Sequence, residues 1–398
     1  MTNRVSVAFN PKRFFKGITR NVLLLGFVSL FTDLSSQMVF PLLPLFLTSV
    51  LGAGASAVGI VEGAAESTAS LLKVFSGYWS DKIRKRKPFV LAGYSLSGLT
   101  KPLFALAQAW PFILVVRVVE RVGKGLRTAP RDAIIAESAR EAVRGKAYGF
   151  QRALDGIGSM LGALCAFLLL PLLGFRNLFL LAFLPGIAAV FTILFIREKK
   201  ETQTRLLEQD SLRVNLAKLP LQLRLLILAA AIFSLGHFGY AFLLLKAKFI
   251  GLSDTGAIFL YVLFYLVFTI FSTPIGMLTD RVGRKPVLLL GYLLFSGICL
   301  LLVFASSHTT VGLTFLLYGA CYAMIDAVQR TYVVDLAPAA IKATALGTFH
   351  TAVGLVALPG GFLAGLLWDI ISPSATFIYG LALSLAAAAV LLLFVRKR

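Results

Sequence analysis

The sequence predicts an all-α polytopic membrane protein of about twelve transmembrane helices in two pseudo-symmetric six-helix bundles, and three observations carry that prediction. Composition comes first: 58% hydrophobic residues, 14% charged residues and 33 Phe, with a mean hydropathy of +0.86, do not fit a soluble globule. Apolar runs of about 20 residues then recur along the chain, each enough to cross a hydrocarbon core of roughly 30 Å. These must be helices, because an open sheet would leave backbone groups unpaired in lipid and the alternation of a membrane barrel is absent. Finally, GYWSDKIRKRKP (Gly77 to Pro88) returns as GMLTDRVGRKP (Gly276 to Pro286), with Asp81 and Asp280 199 residues apart, half of the 398-residue chain.

The predicted spans are 18–51, 57–80, 88–107, 110–138, 145–172 and 175–197, then 222–251, 254–279, 286–305, 309–337, 342–369 and 373–395. They divide the chain into an N-terminal segment (1–17), a six-helix bundle (18–197), a linker (198–221) and a second six-helix bundle (222–398). The linker begins in REKKETQTRLLEQD, the one long polar break, and reads as a surface connection without a site of its own.

A net charge of +21 raises the question of nucleic acid, and its distribution argues against that partner. Lys and Arg collect in the N-terminal segment and at every second connection, whereas intervening connections such as SVLGAGASA and SSHTT are almost bare of them. This positive-inside pattern predicts a multi-pass protein of the cytoplasmic (inner) membrane with both termini in the cytoplasm, its basic residues meeting lipid head groups. The charges before Ile18 do not resemble a cleaved signal peptide, so the first span is expected to direct its own insertion. Cys165, Cys299 and Cys321 fall within spans, lack metal-ligand spacing and read as packing residues. No cofactor and no metal is expected.

The halves match again where AYGFQRALDGIGSMLG (from Ala147) aligns without gaps on ALGTFHTAVGLVALPG (from Ala345), 198 positions on. With these motifs the whole chain resembles a secondary transporter of the major facilitator superfamily. That family's loop signature after the second span is met by Gly77, Asp81, Lys82, Lys85 and Arg86, with Arg84 where the family has glycine; Gly276, Asp280, Arg281, Gly283, Arg284 and Lys285 complete the second copy. An acid ending the second span can meet the positive N-terminus of a facing helix, which the resemblance implies is the eleventh. The basic residues would then meet lipid phosphate or acids below the fourth span, for which Asp132 and Glu137 are candidates. Such a latch would hold one open state and break in the other.

The fourth span is the most individual part of the chain. Arg117, Arg121, Lys124 and Arg131 fall on one helical face, with Glu120 and Arg127 beside them. Charges inside a membrane must face protein, water or ligand, so this stripe is either a substrate cradle or an ion-pair network that fixes packing. Candidate compensating acids and proton carriers are Asp33, Glu62 and Glu66, with Asp33 and Arg121 as the expected coupled pair; Arg152 and Asp155 can pair with each other. The second half offers His237 and the i, i+4 pair Asp326 and Arg330, while Lys246 and Lys248 are expected to snorkel outward.

No enzyme signature or phosphate loop appears, so no catalytic residue is assigned. The expected function is alternating-access transport, with proton-coupled export of a small amphipathic or anionic compound ahead of organic-anion uptake or exchange. The alternative of another class is a non-transporting membrane sensor or scaffold. Expected partners are the small-molecule substrate, protons and membrane lipids, and the expected oligomeric state is a monomer. The efflux resemblance is incomplete, because Gly158 and Gly162 lack the proline and final glycine of the drug-exporter element in the fifth span, whereas Pro359-Gly360-Gly361 carries a similar element in the eleventh.

Overall fold

The computed structural model describes residues 18–83, 85–139, 143–198, 219–338 and 341–395, and every regular element among them is helical. The N-terminal segment, most of the linker, Arg84 and the Asp81 side chain lie outside the described residues.

Twelve crossing segments follow one another among the described residues. In the first half they are α1 (Arg20–Val50), α2 (Ala55–Ile83), α3 (Lys87–Leu99 with Lys101–Ala105), α4 (Trp110–Ser138), α5 (144–173) and α6 (175–194). In the second they are α7 (Leu221–Phe249), α8 (Asp254–Val282), α9 (Arg284–Phe304), α10 (His308–Leu336), α11 (Lys342–Ile370) and α12 (Pro373–Phe394). The turn between α5 and α6 is a single residue, Gly174, whose φ of 70° is open to glycine at little steric cost.

Two crossings are broken beside the central cavity. Helical pairing in α1 lapses at Met38–Pro41, where Pro41 and Pro44 offer no N–H to the preceding turn. α7 lapses at His237 and Phe238 before restarting at Gly239, whose φ is +67°. Discontinuous helices of this kind turn side chains and backbone toward a midplane site in many transporter folds.

The two six-helix bundles repeat in their contacts as well as their sequence. Arg86 pairs with Glu137 where α3 starts and α4 ends; 198 positions on, Arg284 meets Asp335 at 3.0 Å where α9 starts and α10 ends. Lys87 donates to the Leu194 carbonyl and Lys285 to that of Leu392, each at 3.0 Å. These contacts lie at the end of the molecule that carries the Lys- and Arg-rich connections, here called the basic end. At the opposite end Arg176 donates to the Ala105 carbonyl, and Ser374, again 198 positions on, to that of Val303.

The halves meet most closely where α2 and α11 pack side by side. A Cβ at Gly59 would sit 1.9 Å from the Gly361 carbonyl oxygen, and one at Gly365 2.4 Å from that of Ala55. The glycines of the Pro359-Gly360-Gly361 element are thus used for interhelical contact, as are Gly158 and Gly162 of α5, whose missing side chains clear the backbone of α1 at Leu30 and Leu34. Gly59→Ala is expected to lower stability by about 1–3 kcal/mol through overpacking. Thermal unfolding in detergent checks this, with Gly149→Ala, which has open space around it, as the control. Equal midpoints for the two variants would contradict it.

Candidate functional site

A cavity of about 350 Å³ lies between the halves, walled by α1, α2 and α4 on one side and α7, α8, α10 and α11 on the other. It is closed toward the end opposite the basic end. There Ser49 donates to Asp254 at 3.3 Å, and the backbone N–H groups of Ala55 and Ser56 at the start of α2 donate to Asp369 at the end of α11, at 2.9 and 2.8 Å. Nearer the middle, Gln37 of α1 is gripped by α8, accepting from Tyr261 at 2.8 Å and donating to Tyr265 at 2.6 Å. Toward the basic end the charged groups become accessible to water, with Asp132 42%, Asp326 38% and Arg330 39% exposed in their side chains.

The fourth-span stripe resolves into two groups with different surroundings. Arg117 is fully buried and donates to Glu62 at 3.0 Å and to Glu120 at 3.3 Å, while its guanidinium lies 3.7 Å from the Phe40 ring. Lys101, also buried, donates to Ser36 and lies 3.9 Å from Glu120. Arg127 donates to Ser97 at 2.6 Å and stands over the Tyr94 ring, and Arg131 pairs with Asp132 at 2.8 Å. Buried charges need such partners, since removing one member leaves an uncompensated ion in a low-dielectric interior.

Arg121 and Lys124 differ. Both line the cavity. Arg121 is 7% exposed, and its one ion pair among the described residues is with Glu120, 3.5 Å from a buried Nε that makes no hydrogen bond. Lys124 makes no ion pair among the described residues. Two cations with no hydrogen-bonded carboxylate among the described residues therefore line the space between the halves.

Of the acids, Glu62 is held by Arg117, and Glu66 accepts from Ser70 at 3.0 Å while lining the cavity. Asp33 also lines the cavity, but its neighbour differs from the one expected. Its side chain stands beside Asp155 on α5, and Arg121 turns to Glu120 instead. The reason is helix packing: α1 runs along α5, where Gln151 bridges Ser29 and Asp155. Arg152 stands 3.6 Å from Asp155, as its i, i+3 spacing allows.

In the second half Asp326 and Arg330 pair at 2.5 Å, and His237 meets the Tyr318 hydroxyl at 2.9 Å with its ring stacked on Phe233. Lys246 does not reach outward: it is 4% exposed and lies near the rings of Phe249 and Phe377, whereas Lys248 pairs with Asp254 at 2.8 Å.

Of the loop-signature residues, a Cβ at Gly77 would meet Ala129 of α4 at 3.4 Å, Lys82 stands over Tyr78, and Lys85 and Arg281 are exposed. Asp280 pairs with Arg284 at 2.7 Å, and Gly276 has open space around it. Gly283 adopts φ 93°, a backbone state open to glycine. The first copy is one residue longer between its acid and its proline, which is where Arg84 replaces that glycine.

Residue spacing alone does not mark Asp369 or the tyrosines of α8 and α10, and it pairs Asp155 with Arg152 but not with Asp33. Asp369 had a signal, since it ends the eleventh span as Asp81 ends the second.

Two helical bundles packed about a charged cavity, with helices long and apolar enough to cross a membrane, define a multi-pass membrane transporter. The chain belongs to the Major Facilitator Superfamily, whose sequence profile matches residues 25–262 and 225–398. It is 41% identical over 386 residues to an uncharacterised transporter of this type from Methanocaldococcus jannaschii, covering 95% of each chain. A cis,cis-muconate transport protein of Acinetobacter baylyi is 25% identical over 308 residues, 73% of this chain and 74% of that protein. The solved structure of the nucleoside transporter NupG superposes with a TM-score of 0.76 at 13% identity, covering 96% of this chain and all of the other, a likeness of fold.

Proposed function

We propose that this protein works by alternating access in the cytoplasmic membrane and exports a small organic anion in exchange for protons, with both termini in the cytoplasm. The observation that carries the anion is the pair Arg121 and Lys124, which line the cavity and, among the described residues, have no hydrogen-bonded carboxylate partner. Guanidinium and ammonium groups suit carboxylate or phosphate, and a substrate anion would supply the missing partner. With the basic end cytoplasmic, the closed opposite end and the accessible Asp132, Asp326 and Arg330 correspond to an inward-facing state.

Asp33 and Asp155 are the favoured proton carriers, because adjacent carboxyl groups between α1 and α5 can share a proton that substrate or helix movement releases. Glu66, on the cavity wall beside Ser70, is the second candidate. Asp33→Asn is expected to abolish pH-driven transport while leaving substrate exchange and folding intact. Flux into proteoliposomes with and without an imposed pH gradient checks it, and full proton coupling in the variant would remove Asp33 from the mechanism.

Organic-anion uptake or exchange would use the same two cations, and an organic-anion cargo accords with the name of the Acinetobacter relative. Preloaded proteoliposomes distinguish the directions: outward proton-driven flux supports export, and exchange without proton movement supports the alternative.

A further inference from the structure

The walls of the cavity differ in kind. The first half contributes ionic groups, among them Glu66, Glu120, Arg121 and Lys124, and one aromatic ring, Phe40. The second half contributes aromatic rings and a single charged group, Asp326. Phe264 stacks on Tyr318 at 5.1 Å between centroids, and the Tyr322 ring stands 5.9 Å from Phe264 and 6.1 Å from Tyr318. Two hydroxyls on this side, those of Tyr240 and Tyr322, make no hydrogen bond among the described residues, whereas Tyr318 is held by His237 and Tyr265 by Gln37.

From this division we infer that the cargo is an aryl carboxylate or a comparably flat, ring-bearing anion. Its charged end lies on Arg121 and Lys124, and its ring lies against Phe264, Tyr318 and Tyr322. The inference rests on the anion reading above and adds the shape of the rest of the molecule. Aromatic faces favour offset or edge-on rings over saturated bodies of equal size, and guanidinium donors fix the carboxylate. A cavity of about 350 Å³ suits a body of one or two rings. The free tyrosine hydroxyls would select rings that carry a hydrogen-bond acceptor.

The test is equilibrium binding of benzoate, 2-naphthoate, cyclohexanecarboxylate and benzylamine to the purified full chain in detergent, followed by calorimetry. The aromatic carboxylates are expected to bind about ten-fold more tightly than the saturated one. Tyr322→Leu should bring the ratio of benzoate to cyclohexanecarboxylate affinity close to one, and Tyr322→Phe, which keeps the ring, should retain the preference. Equal affinity for benzoate and cyclohexanecarboxylate, each lost in Arg121→Gln, would overturn the aromatic inference and leave the anion reading standing. Binding of benzylamine in preference to every carboxylate, or of no carboxylate at millimolar concentration, would overturn both.

Discussion

Asp369→Asn is expected to shift the protein away from the state closed at the end opposite the basic connections, by about 10- to 100-fold in the equilibrium between the open states. The carboxylate of Asp369 accepts two backbone hydrogen bonds, at 2.9 and 2.8 Å, from the first residues of α2. Hydrogen bonds to a charged group contribute about 1.5–3 kcal/mol, and the positive N-terminus of α2 favours the anion further. An asparagine keeps the shape and one acceptor but not the charge. Because α2 and α11 belong to different halves, the contact holds the halves together at that end and must break for the end to open. Spin labels at Val50 and Ile371, both exposed at that end, in a background without the three native cysteines, would report the distance. A longer distance in the variant is the expected result; an unchanged distribution would remove Asp369 from the gate.

Arg121→Gln is expected to weaken substrate binding by about 30-fold or more, the effect of withdrawing one partner from a buried charge pair at roughly 2–5 kcal/mol. Folding should survive, because Glu120 keeps Arg117 at 3.3 Å and Lys101 at 3.9 Å. Arg117→Ala should behave in the opposite way. It leaves Glu62 and Glu120 undercompensated inside the bundle, at about 3–5 kcal/mol of stability. Calorimetric affinity and thermal midpoint measured together separate the two. An Arg121→Gln protein that binds normally, or one that unfolds as readily as Arg117→Ala, would make Arg121 a packing residue.

The twelve crossings and their repeat were legible because they depend on local quantities: run length, hydropathy, and the recurrence of Asp81 as Asp280 and of Arg86 as Arg284. The charged face of α4 was legible for the same reason, since helical periodicity alone gathers Arg117, Arg121, Lys124 and Arg131. Periodicity does not say which cation a distant carboxylate reaches. Glu62 takes Arg117 rather than Arg121, and Asp33 meets Asp155 because α1 packs along α5, a fact of helix rotation that no spacing encodes.

The latch geometry expected of Asp81 and α11 is realised at the other end by Asp369 and α2, the same relation with the two helices exchanged. Antiparallel neighbours each ending in an acid make that exchange possible, and their sequences carry both acids. The aromatic wall is not legible in the sequence because Phe and Tyr recur along most of the chain, and the folded arrangement separates the cavity rings from those that pack or face lipid.

Proton movement in proteoliposomes tests the central claim most directly. Purified protein is reconstituted with an internal pH dye and challenged with panels of organic anions and amphipathic cations. Anion-dependent internal pH change, lost in both Asp33→Asn and Arg121→Gln, is the predicted result. A pH change driven by cations and indifferent to Arg121, or anion exchange without any pH change, would contradict proton-coupled anion transport through this cavity.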